Sequence, residues 1–147
     1  MYTQTKIDPT SRNGFKTAAR NLFNQYLVLQ TENVAEFEEM FDALDADYRP
    51  VDAMERMYFE LIVSAKWRLR RLQKFEAALY ASYVEHLKKR GPDFVYVKED
   101  ARLFVDPNGE FSKHIDRVER YFKRNCNDFL QLRAQTRRNL ATQSQGQ

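Results

Sequence analysis

Residues 53–90 contain neither proline nor glycine, and this uninterrupted run of 38 residues limits the chain to folds that accommodate one long helix. Asp52 precedes the run as a helix N-cap, and Glu55 follows three residues later, as in a capping box. The run ends at Gly91-Pro92 after three basic residues, whose charges suit a helix C-terminus. At 1.5 Å per residue this helix would be ~57 Å long. Its main apolar stripe of period 3.6 consists of Tyr58, Leu61, Ile62, Ala65, Leu69, Leu72, Leu79, Tyr80, Tyr83 and Leu87.

Three further helices are predicted around the long one. The first begins at Ser11 or Asn13, although residues 26–30, YLVLQ, also suit a short extended segment, and both interpretations stay open. The second, residues 33–49, begins at the N-cap Asn33. It ends at Arg49-Pro50, because the residue before a proline is pushed out of helical geometry. The last helix runs from about Phe111 to Arg138.

Residues 92–110, PDFVYVKEDARLFVDPNGE, differ from the rest of the chain. FVYV and RLFV are β-branched and aromatic, and DPNG is a turn signature. We therefore expect a short β-ribbon or irregular insertion near 92–110. The predicted fold class is mostly α, an antiparallel helical bundle or hairpin with one long central helix. We expect a single domain over residues 1–147, with a loose N-terminal segment 1–12 and a disordered tail at about 140–147.

Size and composition suit a cytoplasmic globular protein without a membrane segment. A chain of 147 residues can bury a core, and 43% hydrophobic residues is not a disordered composition. No apolar run approaches the ~20 residues that a membrane span needs. The N-terminal residues include no apolar stretch of the signal-peptide type. Cys126 is the only cysteine, so no intrachain disulfide is expected, which fits a reducing compartment.

Residues 66–80, KWRLRRLQKFEAALY, surround the single tryptophan with basic side chains. On a helical wheel the main stripe lies opposite Lys66, Arg70, Arg71 and Lys74, which is typical of a solvated helix face. Trp67 lies on that charged side, in line with Phe59 and Val63. This second apolar stripe favours a helix that is buried on two sides. The alternative is that Trp67 stacks on a base while the arginines contact phosphates.

The sequence carries no motif that is typical of a catalytic or metal site. His86 and His114 are the only histidines, and with Cys126 they lack the CxxC or HExxH spacing of zinc sites. No Glu-x-x-His, glycine-rich phosphate loop or G-x-S-x-G occurs. The histidines are interpreted as solvated or helix-end residues. We expect no enzymatic activity, no metal, no cofactor and no small-molecule substrate.

Residues 29–80 combine an acidic helix, the Arg49-Pro50 break and a long helix that contains WRLRR at 67–71 followed by Glu76-Ala77. In this combination the chain resembles an uncharacterised bacterial protein family. HIDRVERYFKRNCNDFLQLR, residues 114–133, is similar to the C-terminal helix of that family. The family often begins with N-A-L-K-H-G-L, whereas residues 13–16 read NGFK with no His-Gly after them. The resemblance implies a helical element and no reaction, and it suggests DNA only by association with phage packaging and mobile-element proteins.

The net charge of +3 is unevenly distributed along the chain. Residues 31–50 carry a net −6, whereas residues 51–90 carry +4 and residues 111–147 carry +5. An acidic helix among basic ones suggests that oppositely charged helices pair with each other or across a dimer. If the acidic helix covers the basic face of the long helix, no polyanion can dock there.

Two functions are consistent with this pattern. The first is a non-enzymatic helical protein–protein interaction or oligomerisation module, whose partner is a second copy or another protein. The alternative is a nucleic-acid-binding accessory protein that uses the basic face of the long and last helices. The residues predicted to contact a nucleic acid or a partner are Lys66, Trp67, Arg70, Arg71, Lys74, Arg120, Lys123, Arg124, Arg137 and Arg138.

Overall fold

The computed structural model describes residues 12–91 and 98–146, and helices hold 85% of them. No strand occurs in these two ranges. The helices are α1 (Arg12–Tyr26), α2 (Val34–Tyr48), α3 (Ala53–Lys88), α4 (Lys98–Val105) and α5 (Glu110–Gln145). The mostly α fold class is therefore confirmed. The undecided segment 26–30 is not extended, because Tyr26 ends α1 and the amides of Leu27 and Val28 donate to the Phe23 carbonyl.

The chain divides into two compact units, and α3 and α5 each contribute residues to both. Unit 1 comprises residues 1–64 and 125–147, and unit 2 comprises residues 65–124. The single domain over 1–147 stays a prediction. The loose segment 1–12 lies outside the described residues apart from its last residue, which begins α1.

The starts of α2 and α3 are formed by the predicted caps. Asn33 Oδ1 accepts the amide of Ala35 at 3.0 Å, and Asp52 Oδ1 accepts the amide of Glu55 at 2.8 Å. These oxygens satisfy donors that have no partner within the helix. At the other end of α2, Arg49 adopts the left-handed conformation with φ 42°. The helix therefore stops before Pro50, as predicted.

Aromatic side chains form the core of unit 1. Phe41 of α2 contacts Phe59 of α3 at 5.5 Å between ring centroids, and Phe59 contacts Phe15 of α1 at 6.2 Å. Phe23 lies 6.1 Å from Phe37, which is fully buried. Edge-to-face and tilted ring pairs of this kind add to the stabilisation that comes from buried apolar area. Three helices are thus joined through one ring cluster.

The second apolar stripe of α3 is buried, as the two-sided interpretation expects. Phe59 and Val63 are fully buried in unit 1, and Trp67 is 3% exposed in unit 2. Tyr58 and Leu61, which belong to the main stripe, are only half-buried. Ile62 and Ala65 of the same main stripe are nevertheless buried, so both stripes of α3 supply residues to the core.

Unit 2 corrects the prediction for residues 98–105, which form helix α4 and not a β-ribbon or an irregular segment. Ala101 of α4 is fully buried against Tyr83 and Leu87 of α3, with Val105 beside them. This packing outweighs β-propensity, which depends strongly on context. Residues 92–97, the rest of the predicted ribbon, lie outside the described residues.

The DPNG segment is a turn, as predicted, and it begins α5. Asp106 accepts hydrogen bonds from the amides of Phe111 and Ser112, both at 3.0 Å, and from the Ser112 hydroxyl at 2.7 Å. The bonds from Ser112 lower the pKa of the Asp106 carboxyl. Gly109 takes φ 68°, a conformation that glycine adopts without a Cβ clash.

Helix α5 is longer than predicted. The predicted helix end near Arg138 is wrong, and so is the predicted disorder of residues 140–145, because α5 continues to Gln145. No proline or glycine interrupts the segment before Gly146.

Within unit 2, α3 and α5 are in contact through side chains. The ring centroids of Phe75 of α3 and Phe111 of α5 lie 5.5 Å apart, and the Lys66 ammonium lies 5.2 Å from the centroid of the Phe122 ring. The later residue of α3 contacts the earlier residue of α5, as in two antiparallel helices. The antiparallel bundle as a whole stays a prediction.

Candidate functional site

The basic stretch around Trp67 is largely built into the protein. Trp67 is buried, so its indole is not available as a stacking surface for a base. The Lys66 ammonium lies over Phe122, and Arg70 and Arg71 are half-buried. Arg70, Arg71 and Lys74 each have an interaction partner within the protein. The predicted surface of α3 is therefore much less open than a solvated face.

The predicted basic residues of α5 fall into different units. Arg120, Lys123 and Arg124 are exposed in unit 2, where Lys123 pairs with Glu119 at 3.3 Å. The Arg124 guanidinium lies 5.5 Å from the Tyr121 ring. Arg137 and Arg138 are exposed in unit 1. Eight of the ten predicted contact residues thus belong to unit 2 and two to unit 1.

The acidic side chains of α2 have partners on α1. Lys16 Nζ lies 3.0 Å from Asp42 and 3.8 Å from the buried Asp45, and the Asn24 amide donates to Glu38 at 3.4 Å. These contacts lie within unit 1. The acidic helix is therefore attached to α1 through side-chain contacts.

The two units differ in charge. Unit 1 contains nine Lys and Arg against twelve Asp and Glu, a net −3. Unit 2 contains fifteen against nine, a net +6 in 60 residues. The modest overall +3 therefore hides a strongly basic unit, which is the electrostatic pattern of a surface that attracts anions.

An open cleft of about 360 Å³ lies in unit 2 between α3 and α5. We call it the unit-2 cleft, and it is lined by Ala65, Arg68, His114, Arg117, Val118 and Tyr121. Arg68 is the exposed arginine of the WRLRR segment. Neither Arg68 nor Arg117 was among the predicted contact residues, because a sequence does not show which turns of two distant helices face one cleft. Their identity as arginines was the only available signal.

A buried ion pair joins the middle of α5 to the start of α3 in unit 1. Arg133 Nε donates to Glu55 Oε1 at 2.8 Å, and the Glu55 side chain is only 3% exposed. Arg133 Nη2 also donates to the carbonyl oxygens of Tyr48 and Arg49, the latter at 3.0 Å. The guanidinium lies 4.6 Å from the Phe129 ring. Sequence analysis missed this pair, whose members are 78 residues apart.

A second cleft, of about 330 Å³, lies beside this ion pair, and we call it the unit-1 cleft. It is lined by Arg49, Val51, Glu55, Arg133, Thr136, Arg137 and Leu140. Val51 is 71% exposed and Leu140 is 61% exposed. Met54 and Met57 of α3 are also exposed. The cleft thus combines apolar side chains with a basic rim, which is typical of an interaction surface.

The end of α5 is helical without being covered. Every side chain from residue 134 to residue 145 is exposed. Four of these residues, Ala134, Arg137, Arg138 and Ala141, share one helix face because they are spaced i, i+3, i+4 and i+7. We call residues 134–145 the α5 end. It presents two arginines between two alanines.

Groups that could serve as nucleophiles or metal ligands are not assembled into a site in the described part of the chain. Burial and a hydrogen bond with Cys126 raise the pKa of the Tyr48 phenol, which therefore stays protonated at neutral pH. His86 stacks on Phe104 at 5.7 Å, whereas His114 lines the unit-2 cleft. Among the described residues no three His, Cys, Asp or Glu side chains are grouped closely enough to hold a metal ion.

Within the described residues, no helix is both long enough and apolar enough to span a membrane. Comparison with protein-family models, curated proteins and solved structures gives no significant match. The resemblance of residues 29–80 to the bacterial family stays a prediction.

Proposed function

We propose that this protein is a non-enzymatic helical interaction module that associates with a second copy of itself through unit 1. The observation that carries the proposal is the α5 end, a helical segment whose side chains are all exposed. Residues 134–145 continue α5 with every side chain exposed, although most helical stability in proteins comes from tertiary packing. A surface that covers the α5 end would supply this packing.

Exposed apolar side chains next to the α5 end support the proposal that this part of unit 1 is a contact surface. Val51 and Leu140 meet in the unit-1 cleft, and Met54 continues the apolar side chains along α3. Contiguous exposed apolar side chains with a polar rim are characteristic of protein–protein contacts. Methionine adapts to irregular surfaces, which suits such a contact.

The outer face of α2 is complementary to the α5 end in charge and in spacing. Its exposed residues Glu39, Asp42, Ala43 and Ala46 follow the same i, i+3, i+4, i+7 pattern as Ala134, Arg137, Arg138 and Ala141. One face carries two alanines and two acids, of which Asp42 also pairs with Lys16 of α1, and the other carries two arginines and two alanines. Alanines allow two helices to approach closely while the opposite charges pair at the edges. We therefore take the partner to be a second copy, with each α5 end on the other copy's α2.

Such a contact is reciprocal, as in a two-fold dimer, because each copy supplies one acidic and one basic face. We also propose that helices α3 and α5 are antiparallel as part of one bundle, which the Phe75–Phe111 and Lys66–Phe122 contacts support. A cytoplasmic location belongs to the same proposal and is supported by the lone cysteine, which fits a reducing compartment.

The experiment is a charge-swap test of oligomeric state by light scattering and analytical ultracentrifugation. The wild type is expected to be a dimer. Arg137→Glu with Arg138→Glu should give a monomer, because like charges then face each other. Glu39→Lys with Asp47→Lys should separately do the same. Asp47 is exposed one turn after Ala43 at the edge of the same α2 face, and it is used in place of Asp42 because Asp42 already pairs with Lys16. Mixing the two variants should restore a dimer, since every contact in the mixed pair is between opposite charges.

The matched control is Lys89→Glu with Arg90→Glu, which reverses two exposed charges at the end of α3 in unit 2. This control should remain dimeric, and circular dichroism should show unchanged helix content for all variants. A monomeric wild type would overturn the proposal. So would failure of the mixture to associate, because charge complementarity between α2 and the α5 end predicts that association.

A further inference from the structure

We infer that the unit-2 cleft binds the phosphate backbone of a nucleic acid. This inference goes beyond the proposed self-association and does not depend on it, because the residues concerned all belong to unit 2 and the dimer surface belongs to unit 1. It also differs from the interaction that the sequence suggested, in which Trp67 was the stacking residue. Trp67 is buried, and other side chains form the site.

The cleft brings two guanidinium groups from different helices to one concave surface. Arg68 comes from α3 and Arg117 from α5, and both are exposed. The fork of N–H donors on arginine fits the oxygens of a phosphate in a bidentate manner. His114, also in the lining, adds an imidazole that can donate a hydrogen bond. Among the described residues that line this cleft there is no carboxylate.

Basic residues of α5 continue the positive charge beyond the cleft. Lys113, Arg117, Arg120 and Arg124 lie within about 60° of one another on the helical wheel, because their spacings follow the 3.6-residue turn. All four are exposed. The ridge is about 16 Å long at 1.5 Å per residue. Glu110, Asp116 and Glu119 lie on the same stretch, and Lys113 approaches Glu110 only at 3.8 Å on an exposed surface.

The length of the ridge favours a polynucleotide over an isolated phosphate. One phosphate group occupies only a few ångströms, whereas cations spread over about 16 Å match successive phosphates of a strand. Tyr121 lines the cleft and is partly exposed, with Arg124 over its ring. A tyrosine ring beside phosphate-binding cations is the arrangement by which proteins hold single strands without reading their sequence. The ligand that fits best is therefore a single-stranded nucleic acid bound without sequence preference.

The test uses fluorescence anisotropy with the full-length protein and labelled single-stranded oligonucleotides of two unrelated sequences. At low salt the wild type should bind both with similar affinity, and the affinity should fall steeply as salt is added. Arg68→Ala with Arg117→Ala should weaken binding by about tenfold or more and make the salt slope shallower, by roughly one for each lost phosphate contact.

The matched control is Lys89→Ala with Arg90→Ala, which removes two exposed charges from the same unit outside the cleft. It should bind within about twofold of the wild type, as expected for an independent site. Equal losses in both variants would overturn the inference, because they would reflect net charge alone. Absence of binding by the wild type would overturn it as well.

Two further arms identify the source of the phosphate. A Tyr121→Ala variant should weaken single-strand binding more than duplex binding, since only unstacked bases reach an aromatic ring. Millimolar inorganic phosphate should compete no better than a simple salt of the same ionic strength. Strong competition by inorganic phosphate would overturn the choice of a polynucleotide.

Discussion

At the residue scale, the Glu55–Arg133 pair shows how one side chain holds three segments together. Glu55 accepts the Val51 amide at 2.8 Å as well as the Arg133 guanidinium. Arg133 in turn donates to the two carbonyl groups at the end of α2. The left-handed conformation of Arg49 leaves these carbonyl groups outside the helical hydrogen-bond pattern. The pair therefore satisfies groups that would otherwise be costly to bury.

Replacing Arg133 should be much more damaging than replacing an exposed arginine. Arg133→Ala leaves the Glu55 carboxylate buried without its partner, and we expect the free energy of unfolding to fall by about 3 kcal/mol. This is the low end of the usual range because Arg133 is 23% exposed. The matched change Arg120→Ala, on the exposed face of α5, should stay within about 0.5 kcal/mol. Urea denaturation measures both, and similar losses would contradict the role of the pair.

Glu60 provides a pH-dependent prediction at the same scale. Burial raises the pKa of the Glu60 carboxyl, so the folded state holds its proton more tightly than the unfolded state. The contribution of Glu60 to stability is then fully present below the ordinary pKa of glutamate, about 4.3, and is lost as pH rises through the folded pKa. Glu60→Gln removes this loss. The variant should gain stability relative to the wild type at about pH 7 and not at about pH 3.5, as measured by thermal unfolding.

The contradictory outcome for Glu60 is a stability difference that does not change with pH. Glu85→Gln is the matched control, since Glu85 is exposed on the same helix as Glu60 and lies outside the proposed dimer surface. Its effect on the pH profile should be smaller than that of Glu60→Gln, because an exposed carboxyl keeps most of its hydration.

At the scale of the element, local chemistry explains which helices could be predicted. The caps Asn33 and Asp52 act on amides two or three residues away, so their effect is visible in the sequence itself. Helix α4 was missed because it ends in the segment RLFV, whose aromatic and β-branched residues favour strands. Its stabilising contact, between Ala101 and the Tyr83 and Leu87 side chains of α3, is not visible in the local sequence. The end of α5 was missed because polar, low-complexity composition resembles a tail.

The same distinction explains the candidate sites. Membership in a helix could be predicted for nearly every basic residue, whereas exposure could not. Arg68 and Arg70 are two residues apart in WRLRR, yet Arg68 is exposed in a cleft and Arg70 is half-buried with a partner. The difference depends on what packs against each side chain in the folded protein, and a pattern on one helix does not contain that information.

The α5 end gives a prediction about an element as a whole. If a second copy covers it, amide hydrogen exchange in residues 134–145 should be slowed at protein concentrations at which the dimer forms. Dilution below the dissociation constant should remove this protection, because the uncovered end of a helix frays at little cost in free energy. Mass spectrometry of peptides resolves the segment from residues 113–124 of the same helix, whose protection should not depend on concentration. Equal protection of both segments at every concentration would contradict the dimer contact.

At the scale of the whole molecule, charge and candidate surfaces divide along the same line. Unit 1, with a net −3, carries the apolar cleft and the complementary faces of α2 and the α5 end. Unit 2, with a net +6, carries the cleft of Arg68 and Arg117. The overall +3 understates the attraction of unit 2 for anions, since screening limits exposed charges to an effective range of about 10 Å. The net charge of the full chain therefore hides the net +6 of unit 2, which is the charge that attracts an anion.

Because the two surfaces share no residue, their functions should be separable by substitution. Val51→Ser with Leu140→Ser changes no charge and removes exposed apolar side chains from the unit-1 cleft, so it should convert the dimer to a monomer. Its affinity for an oligonucleotide of about 8 nucleotides, which is close to the size of one site, should stay within about twofold of the wild type. Arg68→Ala with Arg117→Ala should show the reverse pattern, with a dimeric mass in light scattering and weakened anisotropy binding. A variant that loses both properties while circular dichroism shows intact helices would contradict this separation, because substitutions at independent sites have additive effects.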